Sequence, residues 1–120
     1  MYSLKGGQFG KYCADESEKV ICNRPHVQGW EKFTIEPLGD NKYALKGGQF
    51  GKYCADESGK VICNRPHVQA WEKFTIEPLG DNKYALKGGQ FGKYCADESG
   101  KVICNRPHVQ GWEKFTLTKL

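Results

Sequence analysis

No stretch of this sequence approaches the roughly 18 consecutive apolar residues that a membrane helix needs. The N-terminal MYSLKGG also lacks the apolar core of a secretory signal. Membrane insertion is therefore not expected, and the chain is expected in the cytoplasm or released by a non-classical route. Low-complexity tracts and linkers are missing too. So is any block of like charge: 18 basic and 14 acidic residues are interspersed along 120 residues, for a formal charge of +4. Nucleic acid is a poor partner for such a surface, because phosphate binding wants a concentrated basic stripe. Finally, no 3.6-residue apolar period persists beyond a turn or two, so helices are not expected.

What is present is repetition. The stretch "CNRPHVQGWEKF" begins at Cys22 and again at Cys104, and returns as "CNRPHVQAWEKF" at Cys63. Trp30, Trp71 and Trp112 recur every 41 residues, as do Tyr2, Tyr43 and Tyr84, and His26, His67 and His108. The chain reads as one domain, 1–120, made of repeats 1–42, 43–83 and 84–120. Aligned copies differ at scattered positions: Ser3 against Ala44 and Ala85, Glu18 against Gly59 and Gly100, Ala70 against Gly29 and Gly111. Such uniformity means either a recent triplication or deliberate symmetrisation.

Each repeat reads as four short strands. In the middle copy Tyr43 to Lys46 alternates, Lys52 to Ala55 and Lys60 to Asn64 flank a turn at Asp56-Glu57-Ser58-Gly59, and Glu72 to Glu77 alternates again. A propeller blade has a similar length, but propellers typically need four to eight blades. Three units of four strands point to an all-β fold, a β-trefoil of twelve strands with pseudo-threefold symmetry. Leu45, Tyr53, Ala55, Phe74, Ile76 and their counterparts are the expected core.

The ordered motifs "YALKGG", "GKY", "CNR" and "WEKF" occur in each repeat, with "YSLKGG" in the first. They resemble the signature of the fascin-like, actin-cross-linking-type β-trefoils, whose units typically read A-L, G-K-Y, A-N-R and W-E-x-F. The resemblance implies a trefoil, and it offers actin or polysaccharide as the partner. Cys63 stands where the family usually has alanine, and a single trefoil lacks the tandem domains of an actin bundler.

The pairing of the two cysteines in each repeat depends on hairpin register. A two-residue turn at Ser58-Gly59 would set Cys54 opposite Cys63 and permit a disulfide. A three-residue turn ending at Gly59 would set Tyr53 opposite Cys63 and send Tyr53, Ala55, Val61 and Cys63 to one buried face. The second register is preferred, with the thiols free and buried as small hydrophobes where relatives carry alanine. The lack of a signal segment points the same way, since disulfides belong mostly to oxidising compartments.

Metal and cofactor chemistry find little footing. Cys63 and His67 have metal-ligand types but no evident fourth ligand. Asp56 and Glu57 are adjacent along a turn and would diverge, which is no arrangement for paired-carboxylate hydrolysis. The chain is not expected to be an enzyme or to need a cofactor. The loop between the third and fourth strands is different in kind. A sugar presents hydroxyls on its edges and a weakly apolar face, so its site wants planar polar side chains beside an aromatic. Asp56, Asn64, Arg65, His67, Gln69 and Trp71 form that inventory, repeated as Asp15, Asn23, Arg24, His26, Gln28 and Trp30 and as Asp97, Asn105, Arg106, His108, Gln110 and Trp112. Asn64 and Arg65 belong to the fascin-like motif and are equally read as loop braces. His67 and Gln69 lie outside it and are the stronger ligand contacts, and Trp71 is either a barrel-end residue or an exposed stacking platform. The mussel β-trefoil lectins are similar in plan, with a histidine in the same loop. Three function classes follow: a monomeric or weakly dimeric lectin with three glycan sites, galactose-type by that likeness; an actin-binding cytoskeletal protein; and a symmetric scaffold without ligand.

Overall fold

The computed structural model describes Met1–Leu120 and holds twelve strands. They are β1 (Tyr2–Lys5), β2 (Tyr12–Glu16), β3 (Lys19–Arg24), β4 (Thr34–Gly39), β5 (Lys42–Lys46), β6 (Tyr53–Glu57), β7 (Lys60–Arg65), β8 (Phe74–Gly80), β9 (Lys83–Lys87), β10 (Tyr94–Glu98), β11 (Lys101–Arg106) and β12 (Phe115–Lys119). Helix is confined to one 3-10 turn per repeat, at Gly29–Glu31, Ala70–Glu72 and Gly111–Glu113, where a strand beginning at Glu72 was expected.

The first and fourth strands of the repeats close into a ring. β1 pairs β12, β12 pairs β9, β9 pairs β8, β8 pairs β5 and β5 pairs β4, all antiparallel. The ring shuts where Tyr2 and Phe33 exchange backbone hydrogen bonds, each 2.8 Å. The hairpins β2–β3, β6–β7 and β10–β11 cover one end, tied to each other by the pairs Lys19 with Ile62, Lys60 with Ile103 and Lys101 with Ile21. Closure satisfies edges that an isolated repeat would leave open. The arrangement is trefoil-like. Phe33, Phe74 and Phe115, each at most 2% exposed, fill its centre with Leu4, Leu45, Leu86, Val20, Val61 and Val102. Ala55 and Ile76 are buried as expected, but Tyr53 is only half-buried. Its hydroxyl donates to Glu36 and Lys46 lies over its ring, so it serves the barrel rim instead of the core.

The preferred cysteine register is overturned. Asp56 pairs Val61 and Glu57 pairs Lys60, leaving Ser58-Gly59 as a two-residue turn with φ of 55° and 88°. Two successive left-handed residues make the turn whose twist matches the flanking strands. Cys13 therefore faces Cys22 and Cys95 faces Cys104, and all six cysteines are paired, as Cys13–Cys22, Cys54–Cys63 and Cys95–Cys104. In a chain-entropy account, bridging residues nine apart stabilises by about 2–3 kcal/mol per bond.

A buried carboxylate braces that register, with its turn hydrogen bond made in repeats two and three. Asp56, expected in a solvated turn and offered above as a ligand contact, is fully buried at the end of β6, as are Asp15 and Asp97 in theirs. Asp56 Oδ1 accepts the Gly59 N–H of its own turn at 3.1 Å, while Oδ2 accepts the Gln90 N–H of the next repeat at 3.0 Å. Gln90 Oε1 in turn accepts the Ser58 N–H at 2.6 Å. Asp15 Oδ2 holds Gln49, and Asp97 Oδ2 holds Gln8, so the braces run around the whole molecule. A three-residue turn would break this set. Gly47 and Gly88 are glycine because a Cβ there would overlap Asp15 Oδ2 and Asp56 Oδ2.

Repeat one is the imperfect copy. Glu18 holds a φ of 77° that a glycine would adopt freely, and Asp15 Oδ1 has no hydrogen-bond partner of good geometry. Burial raises the Asp15 pKa above the ordinary 3.8; the N–H groups of Gln49, Phe50 and Glu18 pull it down in part, and the Glu18 carboxylate raises it further. Between 3.8 and the raised value the folded chain holds a proton that the unfolded chain has lost, so stability falls as pH rises through that window.

Two outcomes are expected. Alkylation of the denatured chain without reductant leaves its mass unchanged; labelled thiols would contradict the pairing. Glu18→Gly stabilises by about 1–2 kcal/mol through the relaxed turn and a restored N–H to Asp15. Because that N–H favours the charged carboxyl, the gain in urea unfolding is larger at pH 7 than below the ordinary value of 3.8. An equal gain at both would place the whole effect in the backbone.

Candidate functional site

Each repeat carries one groove where the third strand runs out into the loop before the 3-10 turn. In the first repeat Arg24, Pro25, His26, Gln28, Gly29, Trp30 and Glu31 line about 460 Å³. The equivalent grooves hold about 400 Å³ around Arg65, His67, Gln69 and Trp71, and about 480 Å³ around Arg106, His108, Gln110 and Trp112. Of the residues picked from sequence, the arginine, histidine, glutamine and tryptophan of each repeat come together. Asp15, Asp56 and Asp97 do not, because the brace described above buries them. Asn23, Asn64 and Asn105 lie outside the groove walls; their Oδ1 accepts from the neighbouring arginine Nη1 at 2.6, 2.6 and 3.0 Å.

The arginine is the best-held group. Arg65 Nη2 donates to Glu57 at 3.0 Å, Nη1 to Asn64, and Nε lies 3.3 Å from Glu72 Oε2. Arg24 and Arg106 repeat the pattern with Glu16 and Glu31, and with Glu98 and Glu113. A guanidinium has five N–H groups, so two at the Nη atoms are left for a ligand. The side chain is a quarter exposed, which places a fixed planar cation at the groove wall.

Glu31, Glu72 and Glu113 were missed by the sequence reading, which absorbed them into the motif "WEKF". Each is at most 5% exposed. Glu72 Oε1 accepts the Gln69 N–H at 2.7 Å and Oε2 takes Arg65, so one carboxylate ties the start of the 3-10 turn to the arginine. The spacing of a polar residue and a glutamate three positions on is the available signal. Trp30, Trp71 and Trp112 are 43%, 41% and 42% exposed, so they are not packed barrel-end residues. His26, His67 and His108 are exposed beside them. The arrangement offers a planar cation, an imidazole and an amide around an aromatic surface. Its one carboxylate is committed to holding the wall together.

No family model and no curated protein matches the chain, so the fascin-like resemblance rests on its four short motifs alone. Solved structures match closely in fold. A designed 3-fold symmetric protein, ThreeFoil, is similar at 22% identity over 99% of this chain and 98% of its own, with a TM-score of 0.88. SeviL bound to asialo-GM1 saccharide is similar at 15% identity over 98% and 95%, with a TM-score of 0.81. A proteinase inhibitor from Coprinopsis cinerea is similar at 15% identity over 99% and 96%, with a TM-score of 0.79. At such identities the likeness is one of fold, and threefold trefoil proteins of different activities share it.

Glu72→Ala leaves Arg65 without its buried partner and frees the Gln69 N–H. We expect a loss of about 1–3 kcal/mol in urea unfolding, against nearly none for His67→Ala in its exposed position. Equal effects would show that the glutamate does not organise the loop.

Proposed function

We propose that the protein is a β-trefoil lectin, a non-enzymatic carbohydrate binder with three equivalent glycan sites. One observation carries the reading: in every repeat a half-exposed tryptophan stands in the same groove as an anchored arginine with two uncommitted N–H groups, a histidine and a glutamine. A pyranose fits that set, with its apolar face on the indole and its hydroxyls on the planar donors. Three weak sites on one rigid body gain strength together on a multivalent surface, which gives exact repetition a use. A galactose-type epitope is the proposed ligand, and cross-linking of glycoconjugates by a monomer or weak dimer the proposed action. Three disulfides fit an oxidising setting, so of the two expected locations release from the cell is the one retained. Nothing in the grooves favours actin.

Calorimetry with a galactose-terminated saccharide is expected to give a stoichiometry of three. His67→Ala removes about one site, at a truncation cost of about 1–3 kcal/mol there. The variant lacking all three histidines loses agglutination while still folding. Agglutination that survives in it would remove the histidines from the site, and a parent chain that binds no glycan but pellets with F-actin would end the lectin reading.

A further inference from the structure

The loop between the first and second strands of each repeat ends in an exposed phenylalanine that neither the core nor the groove uses. Phe9, Phe50 and Phe91 are 59%, 53% and 58% exposed. Single exposed aromatics are ordinary, but these stand on loops built to hold them. The Gly51 N–H donates to Gly47 O at 3.1 Å, closing one tight turn around Phe50. The Gln49 N–H is fixed by buried Asp15, and its side chain by the Ser17 N–H, both of the preceding repeat. The loop therefore rests on the repeat before it.

What it rests against is the wall of that repeat's groove. A Cβ on Gly48 would meet the carbonyl oxygens of Gly29 and Lys32 and come within 3.0 Å of that of Trp30. Only glycine lets the loop lie directly on the 3-10 turn that carries the tryptophan. Phe50 is two residues further on, so its Cα is within about 7 Å of that contact. Gly89 packs in the same way on Ala70 and Trp71, and Phe91 follows two residues after that contact with the second 3-10 turn. Gly7 packs on Gly111 and Trp112, and Phe9 of the first repeat follows two residues after that contact with the third 3-10 turn.

Resting on the lectin reading above, we infer that each binding site continues across a repeat boundary, from the tryptophan of one repeat to the phenylalanine of the next, and so takes an oligosaccharide in preference to a single sugar. The pairs are Trp30 with Phe50, Trp71 with Phe91 and Trp112 with Phe9. The terminal sugar occupies the groove of arginine, histidine and tryptophan. The following sugar leaves the groove over the 3-10 turn and lays its apolar face on the phenylalanine. Because the loop is fixed before binding, that contact costs little ordering. The third site is complete only when the chain's first repeat closes on its last.

The test follows the imidazole resonances of His26, His67 and His108 while the intact protein is titrated with galactose and, separately, with the asialo-GM1 saccharide. The parent is expected to bind the saccharide more tightly than galactose at all three. In Phe50→Ala the ratio of the two affinities falls about threefold to tenfold at His26 alone, the scale of one aromatic contact. In Phe9→Ala it falls at His108 alone. Phe50→Trp keeps the ratio, which separates lost stacking from a disturbed loop. A ratio unchanged in Phe50→Ala, or reduced at His67 within the same repeat, overturns the inference. So does a parent that binds both ligands equally, which leaves the lectin reading standing. A parent that binds neither overturns both.

Discussion

One buried carboxylate per repeat sets most of what lies above the barrel. Asp15, Asp56 and Asp97 are removed from water, and a charge in that position is tolerated only if its oxygens are filled with donors. Those donors come from two places. The N–H of the hairpin turn fills one oxygen of Asp56 and fixes a two-residue turn, and the N–H of a glutamine in the next repeat fills the other and fixes the packing of repeat on repeat. The turn fixes the register, and the register sets cysteine against cysteine. The same brace holds the loop that lies on the neighbouring 3-10 turn, so barrel cap, disulfides and groove wall share one dependence. In repeat one the turn donor is misplaced: Asp15 Oδ1 has no hydrogen-bond partner of good geometry, and burial raises the Asp15 pKa.

The fold was legible because repetition and alternation are properties of the chain itself. A period of 41 residues, four short β-rich runs per period and three periods leave few ways to bury one apolar face per unit. The hairpin register was not legible, since one residue of slip exchanges the two faces of a strand while leaving composition unchanged. A three-residue turn uses glycine alone as its left-handed residue, whereas in the structure Ser58 is left-handed as well. What stabilises Ser58 there is Gln90, 32 residues away in sequence, and no local pattern contains it. Asp56 was misplaced for the same reason, its partners being non-local.

The groove was partly legible. Arg65, His67, Gln69 and Trp71 sit in one short stretch around a proline, and a stretch that short has little choice but to share one surface. Asn64 has two readings from sequence, ligand contact or loop brace, and its place against Arg65 Nη1 favours the brace. Glu72 was overlooked because the sequence shows a glutamate between a tryptophan and a lysine, as in any exposed strand. Burial turns it into the post on which arginine and turn are both hung. The wall of the groove thus depends on buried side chains, whereas the histidine and tryptophan proposed to meet a ligand are exposed.

The central claim is that three tryptophan-centred grooves bind glycan, and the indole N–H signals of Trp30, Trp71 and Trp112 report on it directly. Titration of the intact protein with a galactose-terminated saccharide is expected to move all three signals together and to saturate at three equivalents per chain. Signals that stay in place through the titration, or binding that shifts residues elsewhere while the indoles remain still, would contradict the account.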